Sequence, residues 1–450
     1  MIKKIVYLLL ACLSMNNSKN AFAQPPGLQA RPFHSGFPLA HDTYNAISVA
    51  GNGKVYYVLS SQSIDTGGQM YSYDPRNDKI AFCGDLTEAC GEKGSKAIVQ
   101  GKSHVRFVET GGKLFFATHA GYYTMVDGME KMGIPPAGYQ AYPGGHFLSY
   151  DLRTGRYENL GLAPHGEGIL TMNMDAARGM IYAITWPTGY FITCDPKTKT
   201  VTEIGRVSGD GENGMGANFR TLCRALAINP QTGAVYMTNS EGAILKYLPG
   251  ATGLVKIGED MKKDYFGIYD PSSPGHMGYN WRQIVYSPAD RCFYGVHGNS
   301  GYLFKFDPAS ETITVLDRIT SLPSKESGMF DEFSYGYLGF ILGPDRHTLY
   351  YLTGGPIYEN GRRVKGKDQT HMGEAKGLED LHLVTYDIAT HRYTDHGAIY
   401  YPDGQRPLYV NAIAVGGDGS VYSLARIIDH GVETADLIRI ADPFKKKQHP

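Results

Sequence analysis

The sequence predicts an all-β protein, a seven-bladed β-propeller, and three observations lead to this prediction. A short motif, consisting of an aromatic or apolar residue, an Asp and usually a Pro, closes a strand pattern seven times. Its copies start at Tyr73, Tyr150, Cys194, Tyr247, Phe306, Tyr386 and Ala441, and Leu248 replaces the Asp in one of them. Short strand patterns and Gly, Pro, Asn or Asp turns surround each copy, as in radial arrays of small sheets. The composition, with 56 Gly and 33 Tyr, suits tight turns and half-buried strands.

Each repeat is predicted to contain four strands, of which the third ends in the motif. In the fourth repeat, residues 221–229 form the first strand, 234–238 the second and 243–247 the third. First strands are expected to start near Tyr44, His104, Gly168, Leu222, Trp281, Leu338 and Val410. Residues 29–40 are expected to complete the sheet of the last blade and close the ring. The blades then occupy about residues 28 to 445 of one domain, residues 24–450.

The first 23 residues have the pattern of a signal peptide. Lys3 and Lys4 precede a short apolar run, and Ala21-Phe22-Ala23 provides a cleavage site of small residues. Residues 9–12 also resemble a bacterial lipoprotein box that ends in Cys12. Either pattern predicts an exported protein, located in the periplasm, at the cell surface or outside the cell.

The net charge limits the classes of binding partner, and the cysteines indicate where a disulfide could form. A formal net charge of −1 provides no overall field that would attract nucleic acid or an anionic membrane, and we expect a monomer. Local Arg, Lys and His side chains must therefore hold any anionic ligand. Cys83 and Cys90 flank a short loop and are candidates for a local disulfide, whereas the cysteines on strand patterns are expected to be buried.

Propeller geometry predicts that several polar side chains gather at one end of the ring, which we call the mouth. The first strand of each blade begins there, the second ends there and the third starts there. These rules assign to the mouth His104, His119, His146, Tyr190, Arg220, Arg224, Trp281, Arg282, His297, Tyr335 and Tyr337. Arg220 and Arg224 flank Leu222 at a spacing of two and are expected to share one strand face. Each residue alone also fits a structural role, but their convergence on neighbouring blades favours a site.

This set of His, Tyr and Arg suits β-elimination on a uronic acid. His and Tyr can accept or donate a proton, and Arg pairs with a planar carboxylate through two parallel hydrogen bonds. Clamping the carboxylate makes the proton on the sugar C5 removable, and the oxygen on C4 leaves after it is protonated. Glycoside hydrolysis instead requires two opposed carboxylates, for which Glu167, Glu212 and Asp42 are candidates.

Four motifs resemble those of the seven-bladed propeller polysaccharide lyases. They are His119-Ala120-Gly121-Tyr122-Tyr123, Gly144-Gly145-His146-Phe147, Trp186-Pro187-Thr188-Gly189-Tyr190 and Arg220-Thr221-Leu222-Cys223-Arg224. This family includes ulvan lyases and rhamnosyl-glucuronate lyases that uncap arabinogalactan side chains, and both cleave an L-rhamnose-α-1,4-D-glucuronate bond. The resemblance implies a lyase that acts on a uronic-acid-containing polysaccharide or glycan side chain and leaves an unsaturated uronate.

The resemblance also implies roles for individual residues. His119 and His146 match a histidine pair at the scissile bond, and Tyr190 matches a general acid or base. The Arg that neutralises the carboxylate is Arg206 by its distance from Tyr190, or Arg220 or Arg224 by strand position. We assign Arg220 to the catalytic set and expect substrate contacts from His104, Arg206, Arg224, Trp281, Arg282, His297 and Tyr337. The long loop between His119 and His146 favours a pocket and removal of a terminal rhamnose.

Metal binding and two alternative functions stay open at this point. The elimination needs no cofactor, but some members of the family bind a structural calcium or zinc ion. His276, Cys292 and His297 are the candidate ligands, although their spacing matches no tight motif. A metal-dependent propeller lactonase or dehydrogenase would instead need carboxylates around an axial ion. A non-catalytic glycan-binding propeller would use the Tyr-rich mouth to stack sugars.

Overall fold

Small antiparallel sheets, arranged as the blades of a β-propeller, make up the protein in the computed structural model. The structure describes residues 27–126, 129–266, 278–297, 300–327, 339–355, 357–359, 362–364 and 380–445. Within these ranges the strands form five four-stranded sheets, one nine-stranded sheet that contains the last two blades, and two separate hairpins, and the all-β propeller fold is confirmed. The predicted signal peptide and Cys12 lie outside the described residues.

The first strand, β1 (Leu28–Pro32), belongs to the last blade, and blades 1 to 4 follow it along the chain. Blade 1 consists of β2 (Ile47–Val49), β3 (Val55–Leu59), β4 (Gln69–Asp74) and β5 (Lys79–Asp85), followed by helix α1 (Leu86–Ala89). Blade 2 consists of β6 (Val108–Thr110), β7 (Lys113–Ala117), β10 (His146–Asp151) and β11 (Tyr157–Leu162), with a separate hairpin, β8 (Tyr123–Val126) and β9 (Met129–Met132), between β7 and β10. Blade 3 consists of β12 (Gly168–Asp175), β13 (Met180–Trp186), β14 (Tyr190–Asp195) and β15 (Thr200–Arg206). Blade 4 consists of β16 (Ala227–Ile228), β17 (Val235–Thr238), β18 (Ala243–Tyr247) and β19 (Val255–Asp260), followed by α2 (Lys263–Phe266).

Blades 5 to 7 repeat the arrangement. Blade 5 consists of β20 (Trp281–Ser287), β21 (Cys292–His297), β22 (Tyr302–Asp307) and β23 (Thr312–Arg318), followed by α3 (Leu322–Ser327). Blade 6 consists of β24 (Phe340–Leu342), β25 (Thr348–Gly355), β28 (Asp380–Asp387) and β29 (Arg392–Tyr400), with the hairpin β26 (Ile357–Glu359) and β27 (Arg362–Val364) inserted. Blade 7 consists of β30 (Tyr409–Val410) and β31 (Ala414–Val415), which both pair with β32 (Val421–Asp429), then β33 (Val432–Ile440) and β1.

The repeated motif ends the third strand of its blade. Its aromatic residue and its Asp have different structural roles. The aromatic residue is buried between blades, as Tyr73 and Phe306 are. The Asp carboxylate then accepts a hydrogen bond from the backbone N–H two residues later, at 3.0 Å for Asp74 and 2.8 Å for Asp307. This side-chain contact fixes the turn that leads into the fourth strand, which explains why the motif recurs at that point.

The ring closes through the N-terminal strand, as the sequence predicts. β1 pairs antiparallel with β33, so that Ala30 lies opposite Ile440, and it therefore forms the outer strand of blade 7. Phe33 follows directly, and its backbone N–H donates to the Leu437 carbonyl at 2.9 Å. The Phe33 ring packs 4.6 Å from the ring of Tyr73 in blade 1. One segment therefore joins the last blade to the first.

Polar contacts between inner strands hold the blades together at the propeller axis. The Gln283 side chain of blade 5 donates to the side-chain amide oxygen of Asn45, which precedes the first strand of blade 1, at 3.1 Å. The Thr171 hydroxyl of blade 3 donates to the backbone carbonyl of Arg224, at 2.9 Å. Arg106 of blade 2 donates to the Phe340 carbonyl of blade 6. The axis is thus crossed by hydrogen bonds that connect blades distant in sequence.

The two ends of the ring differ in the length of the segments they carry. Turns between first and second strands, and between third and fourth strands, are short and lie at one end. The long segments 86–107 and 207–226, which connect successive blades, lie at the other end, the mouth. The hairpin of β8 and β9 also belongs to the mouth, because it connects the second and third strands of blade 2.

Two details differ from the sequence prediction. The first strand of blade 4 covers only Ala227–Ile228 instead of residues 221–229, because the preceding residues form a long connection. Cys83 and Cys90 are free thiols and form no disulfide. Cys194, Cys223 and Cys292 are buried as expected. Among the residues that the structure describes, no helix has the length and hydropathy of a membrane span.

Replacing Phe33 with Ala tests the closure of the ring. The ring is 5% exposed and joins blade 7 to blade 1, so its loss should lower the free energy of unfolding by about 3–5 kcal/mol. Urea denaturation followed by tryptophan fluorescence measures this change. Phe82→Ala is the control, because Phe82 is 58% exposed and should change the urea midpoint little. Equal midpoints for the two variants would contradict closure through this segment.

Candidate functional site

A group of buried polar and aromatic residues surrounds Lys102 at the mouth end of the propeller axis. Lys102 and His119 form a backbone bridge, in which each N–H donates to the carbonyl of the other, at 3.1 and 2.8 Å. The Lys102 ammonium lies 4.0 Å from the ring centre of Tyr44 and 4.3 Å from that of Tyr123. We call the following residues the axial cluster: Tyr44, Lys102, His104, His119, Tyr123, Trp186, Glu212 and Arg224.

The orientation of His119 is fixed by its neighbours. Its Nδ1 lies 2.9 Å from the Ala120 carbonyl oxygen, so the neutral ring carries its proton on Nδ1 and presents Nε2 as an acceptor. The side chain is 1% exposed, and within the described residues Nε2 has no hydrogen-bond partner. Burial, together with the charge of Lys102, holds the pKa of His119 well below its ordinary value. His119 is therefore a neutral base.

Aromatic contacts connect His119 to blades 2 and 3. Its ring centre lies 5.0 Å from that of His104 and 5.2 Å from that of Trp186. A Cβ on Gly168, the first residue of β12, would come within 2.7 Å of the imidazole, so only Gly fits against the ring there. Burial and the charge of Lys102 also lower the pKa of His104 strongly. The predicted proximity of His104 and His119 is thus observed.

An ion pair between Glu212 and Arg224 forms the second half of the axial cluster. The closest oxygen–nitrogen distance between them is 2.8 Å. The same carboxylate accepts hydrogen bonds from the Trp186 indole at 2.9 Å and from the Leu222 N–H at 3.1 Å. Burial alone would raise the pKa of Glu212, but the Arg224 guanidinium, the Leu222 N–H and the charge of Arg282 together outweigh burial and keep this pKa below its ordinary value. Glu212 therefore remains ionised and fixes segment 207–226.

A second, more exposed group lies on blade 3, where β14 begins and β15 ends, and we call it the rim cluster. Tyr190 lies opposite Arg206, and a guanidinium nitrogen is 3.2 Å from the phenol oxygen. The other terminal nitrogen of Arg206 donates to Asp210 at 2.9 Å. The His165 ring lies 4.6 Å from the Tyr190 ring. Phenol, imidazole and guanidinium therefore meet at the surface of the mouth.

His165 is held in place by a carboxylate and by its own backbone. Its Nε2 lies 2.8 Å from Glu203 of β15, which is the fifth member of the rim cluster beside Tyr190, Arg206, Asp210 and His165. If Nε2 carries the proton toward Glu203, Nδ1 is left as the free acceptor. The backbone of His165 has a φ of 62°, a conformation that is uncommon outside Gly and often found at functional sites.

His146 lies apart from both clusters. One ring nitrogen is 2.6 Å from Glu92 and the other is 2.9 Å from the Asn159 amide. Phe147 lies opposite Ala117, so His146 follows Thr118 across the sheet, and alternation along the strands points its side chain away from that of His119. The predicted histidine pair is therefore not assembled at one point, and the catalytic role of His146 stays a prediction.

The remaining predicted arginines, Arg220 and Arg282, lie in different surroundings. Arg220 pairs with Glu241 and donates to the backbone carbonyls of Ala217 and Phe219, so it stabilises its own loop. It shares no face with Arg224, contrary to the prediction, because residues 220–224 are not a strand. Arg282 is buried, and its charge acts on His104 and Glu212.

The other predicted contacts fall in the core or outside the described residues. Trp281 is fully buried, stacks on Phe304 and donates to the Ala225 carbonyl, so it acts as a core residue. His297 is also buried, with Nδ1 3.0 Å from the Ser300 hydroxyl. Tyr335 and Tyr337 lie outside the part of the chain that the structure describes.

The candidate zinc ligands do not converge. Cys292 begins β21 and His297 ends it, and five residues of strand separate their Cα atoms by about 16 Å. One ion cannot bind both side chains, so this ligand set is wrong. His276 lies outside the described residues, and among the residues that are described no group of three His, Cys, Asp or Glu could hold a metal.

The three carboxylates considered for hydrolysis all have structural partners. Glu167 accepts hydrogen bonds from the Thr185 hydroxyl and the Thr188 N–H, and so fixes the turn before Tyr190. Asp42 pairs with Arg426 at 2.9 Å, and Glu212 is bound as described above. Since each of these carboxylates is held in contacts within the fold, the arrangement does not favour a hydrolase.

Sequence reasoning did not select Lys102 or His165. Both precede the first strand of a blade, at a position where the propeller rules place residues at the mouth, and this signal could have identified them. The two clusters are adjacent in sequence and space, since the His165 ring packs against Tyr190 while Gly168 packs against His119. Together they provide imidazole and phenol groups that can transfer protons, guanidinium groups and aromatic rings, a set suited to an acidic sugar.

Comparisons with known proteins identify the fold alone. No family model and no curated protein matches the sequence. A puromycin-hydrolyzing peptidase from Mycobacterium tuberculosis has a similar structure, with 11% identity and a TM-score of 0.50 over 94% of this chain and 54% of that chain. The Cps50 (Swd1) β-propeller domain of Myceliophteria thermophila has 8% identity and a TM-score of 0.48, covering 90% and 99%. The GH74 enzyme of Niastella koreensis has 12% identity and a TM-score of 0.42, covering 90% and 44%.

Replacing Glu212 with Ala tests the ion pair of the axial cluster. The change leaves the Arg224 charge buried without compensation, and the free energy of unfolding should fall by about 3–5 kcal/mol at neutral pH. Glu241→Ala, which removes the half-exposed partner of Arg220, should cost less than about 1 kcal/mol. Both values come from urea denaturation.

The pH dependence provides an internal check on the same ion pair. Because the pKa of Glu212 is lowered on folding, the stabilisation is complete above the ordinary value of 4.5 and is lost as the pH falls through the lowered value. The stability difference between wild type and Glu212→Ala should therefore shrink below pH 4.5. A difference that is constant from pH 7 to pH 3 would contradict this assignment.

Proposed function

We propose that the protein is a polysaccharide lyase that cleaves L-rhamnose-α-1,4-D-glucuronate linkages by β-elimination at the rim cluster. The observation that carries this proposal is the 3.2 Å contact between the Tyr190 phenol and the Arg206 guanidinium, beside the His165 imidazole. Elimination on a uronate needs one group that removes a proton, one that supplies a proton and one that binds the carboxylate. The rim cluster contains one of each.

The charges around the two proton-transfer groups suggest their roles. A base becomes positive when it takes the C5 proton, and Glu203, at 2.8 Å from His165, would stabilise the imidazolium that forms. An acid becomes negative when it gives up its proton, and Arg206 would stabilise the Tyr190 phenolate. We therefore assign His165 as the base and Tyr190 as the acid.

The same arginine can also bind the substrate carboxylate. Its pairing with Asp210 is exposed and hence weak, so a uronate can take the place of Asp210 on the guanidinium. In the reaction, the C5–H electron pair forms the C4–C5 double bond as the proton moves to His165. The C4–O bond breaks and the leaving oxygen takes the Tyr190 proton, which gives an unsaturated uronate and a free rhamnose end.

The hairpin of β8 and β9 supports action on chain ends. The Lys131 ammonium of β9 donates to the backbone carbonyls of Glu212, Asn213 and Gly214, at 2.7 to 3.1 Å. The hairpin is thereby fastened across the mouth from blade 2 to the segment before blade 4. A bridge of this kind limits an open groove and favours a pocket that accepts a terminal rhamnose cap.

The activity is tested by incubating the protein with rhamnose-capped arabinogalactan and with ulvan while recording the ultraviolet absorbance of the unsaturated uronate. We expect absorbance to rise on at least one of the two substrates. Binding of these polymers without any such product, on them or on other uronate polymers, would instead indicate a glycan-binding propeller.

Tyr190→Phe should lower kcat by about 100-fold or more, because it removes the phenolic proton and leaves the ring in place. Tyr302→Phe is a closely matched control: Tyr302 also begins a third strand and lies opposite an arginine, Arg318, in blade 5. This control should retain activity within about twofold, since blade 5 has no assigned catalytic role. Equal rates for the two variants would remove Tyr190 from the mechanism.

His165→Gln should lower kcat by a similar factor of about 100, because Gln cannot accept the C5 proton. The control is His347→Gln, since His347 is equally exposed, at 50%, and pairs with Asp387 in the same manner but at the opposite end of the ring. Substrate turnover is measured for both under saturating substrate. Full activity of His165→Gln would transfer the role of base to another group, with His119 as the next candidate.

A further inference from the structure

Lys102 is a buried cation for which the proposed elimination has no use. Its side chain is 2% exposed, and among the described residues its ammonium has no hydrogen bond or ion pair within reach. Lysines are rarely buried without a paired carboxylate, because an uncompensated charge in the interior is costly. A cation retained in such a position indicates a ligand-binding role.

Two other polar atoms of the axial cluster are also buried without a partner among the described residues. They are Nε2 of His119 and one terminal nitrogen of Arg224. The Arg224 nitrogen and the Lys102 ammonium are donors, whereas Nε2 of His119 is an acceptor. Donors for an oxyanion beside an acceptor for a hydroxyl group match the chemistry of a sugar acid, and the Tyr44 and Tyr123 rings provide apolar faces for a sugar.

The charges around the axial cluster complement an anion. The cations are Lys102, Arg224, Arg282 and Arg426, and the anions are Asp42, Glu130 and Glu212. Three guanidinium groups therefore lie near the Lys102 ammonium or its neighbours, and an oxyanion of a bound ligand would complement these positive charges.

The carboxylate of Glu130, on the hairpin, acts on the charge of Lys102 although these two described side chains form no ion pair. Burial lowers the pKa of Lys102 to about 8, and among nearby charges that of Glu130 opposes this shift most strongly. In turn, burial raises the pKa of Glu130, and the charge of Lys102 opposes that shift most strongly. The hairpin of β8 and β9 therefore brings a carboxylate close enough to act on the charge of Lys102.

We infer that the axial cluster is a second binding site for an acidic sugar, in which Lys102 and Arg224 bind the oxyanion and His119 Nε2 accepts a hydrogen bond from a neighbouring hydroxyl group. The ligand is the carboxylate or sulfate group of a sugar unit next to the one held at the rim cluster. Only this choice of ligand rests on the proposed function.

The test measures binding of small anions to the full-length protein by isothermal titration calorimetry. The protein carries Arg206→Met, which removes the anion contact of the rim cluster, so that binding reports on the axial cluster. Sodium D-glucuronate, sodium sulfate and neutral D-glucose are the probes, and the first two distinguish a carboxylate from a sulfate ligand. Addition of Lys102→Met should weaken binding of the preferred anion at least about tenfold. Addition of Lys256→Met, an exposed lysine of blade 4, should leave it unchanged.

A second measurement does not depend on the folding of a Lys102 variant. In the Arg206→Met protein, glucuronate or sulfate should change the tryptophan fluorescence, because the Trp186 ring lies 5.2 Å from the His119 ring in the axial cluster. Absence of anion binding, binding that survives Lys102→Met, or tryptophan fluorescence unaffected by the anion would each overturn the inference. Absence of an unsaturated uronate product on every polymer tested would overturn the proposed lyase reaction but would leave this binding result intact.

Discussion

A β-bulge between the third and fourth strands determines which side chains meet at the mouth. Within the described residues, blades 1 to 6 all show a shift of register close to the mouth end of this pair. In blade 3 the shift falls between Phe191 and Ile192. Without the extra residue Tyr190 would lie opposite Gly205, and with it Tyr190 lies opposite Arg206. The contact on which the proposed chemistry depends is thus a consequence of sheet geometry.

The bulge occurs in several blades. It therefore determines where a side chain lies but does not by itself create a functional site. The first residue of the third strand is His146 in blade 2, Tyr190 in blade 3 and Tyr302 in blade 5. His146 is bound on both ring nitrogens, and Tyr302 packs against Tyr265. Among these three blades, only blade 3 places another imidazole beside the side chain at this position. This imidazole is His165, which is paired with Glu203. The segments between blades therefore supply the chemistry, as is common for sites built on rigid scaffolds.

The sequence predicted the blades well because the signals for strands and turns are local. Asp74 and Asp307, for example, each accept a hydrogen bond from a backbone N–H two residues away, so these residues indicate a turn without knowledge of the rest of the fold. The site was predicted only in part. Tyr190 was selected, but the choice among Arg206, Arg220 and Arg224 depends on Glu241 and Glu212, whose positions follow from long connecting segments that have no periodic pattern.

The rim and axial clusters differ in exposure, so charges in the two clusters affect binding and reaction rate differently. In the buried axial cluster, charges act through a medium of low dielectric constant, so an oxyanion that reaches Lys102 gains strong attraction and loses its hydration. That interaction is the same before and during bond cleavage, so it contributes to binding and not to the rate of the chemical step. In the elimination proposed for the rim cluster, the charges that would form on His165 and Tyr190 during proton transfer lie next to Glu203 and Arg206. These contacts would strengthen only as the transition state forms, so in this proposed reaction the rim cluster would provide the acceleration.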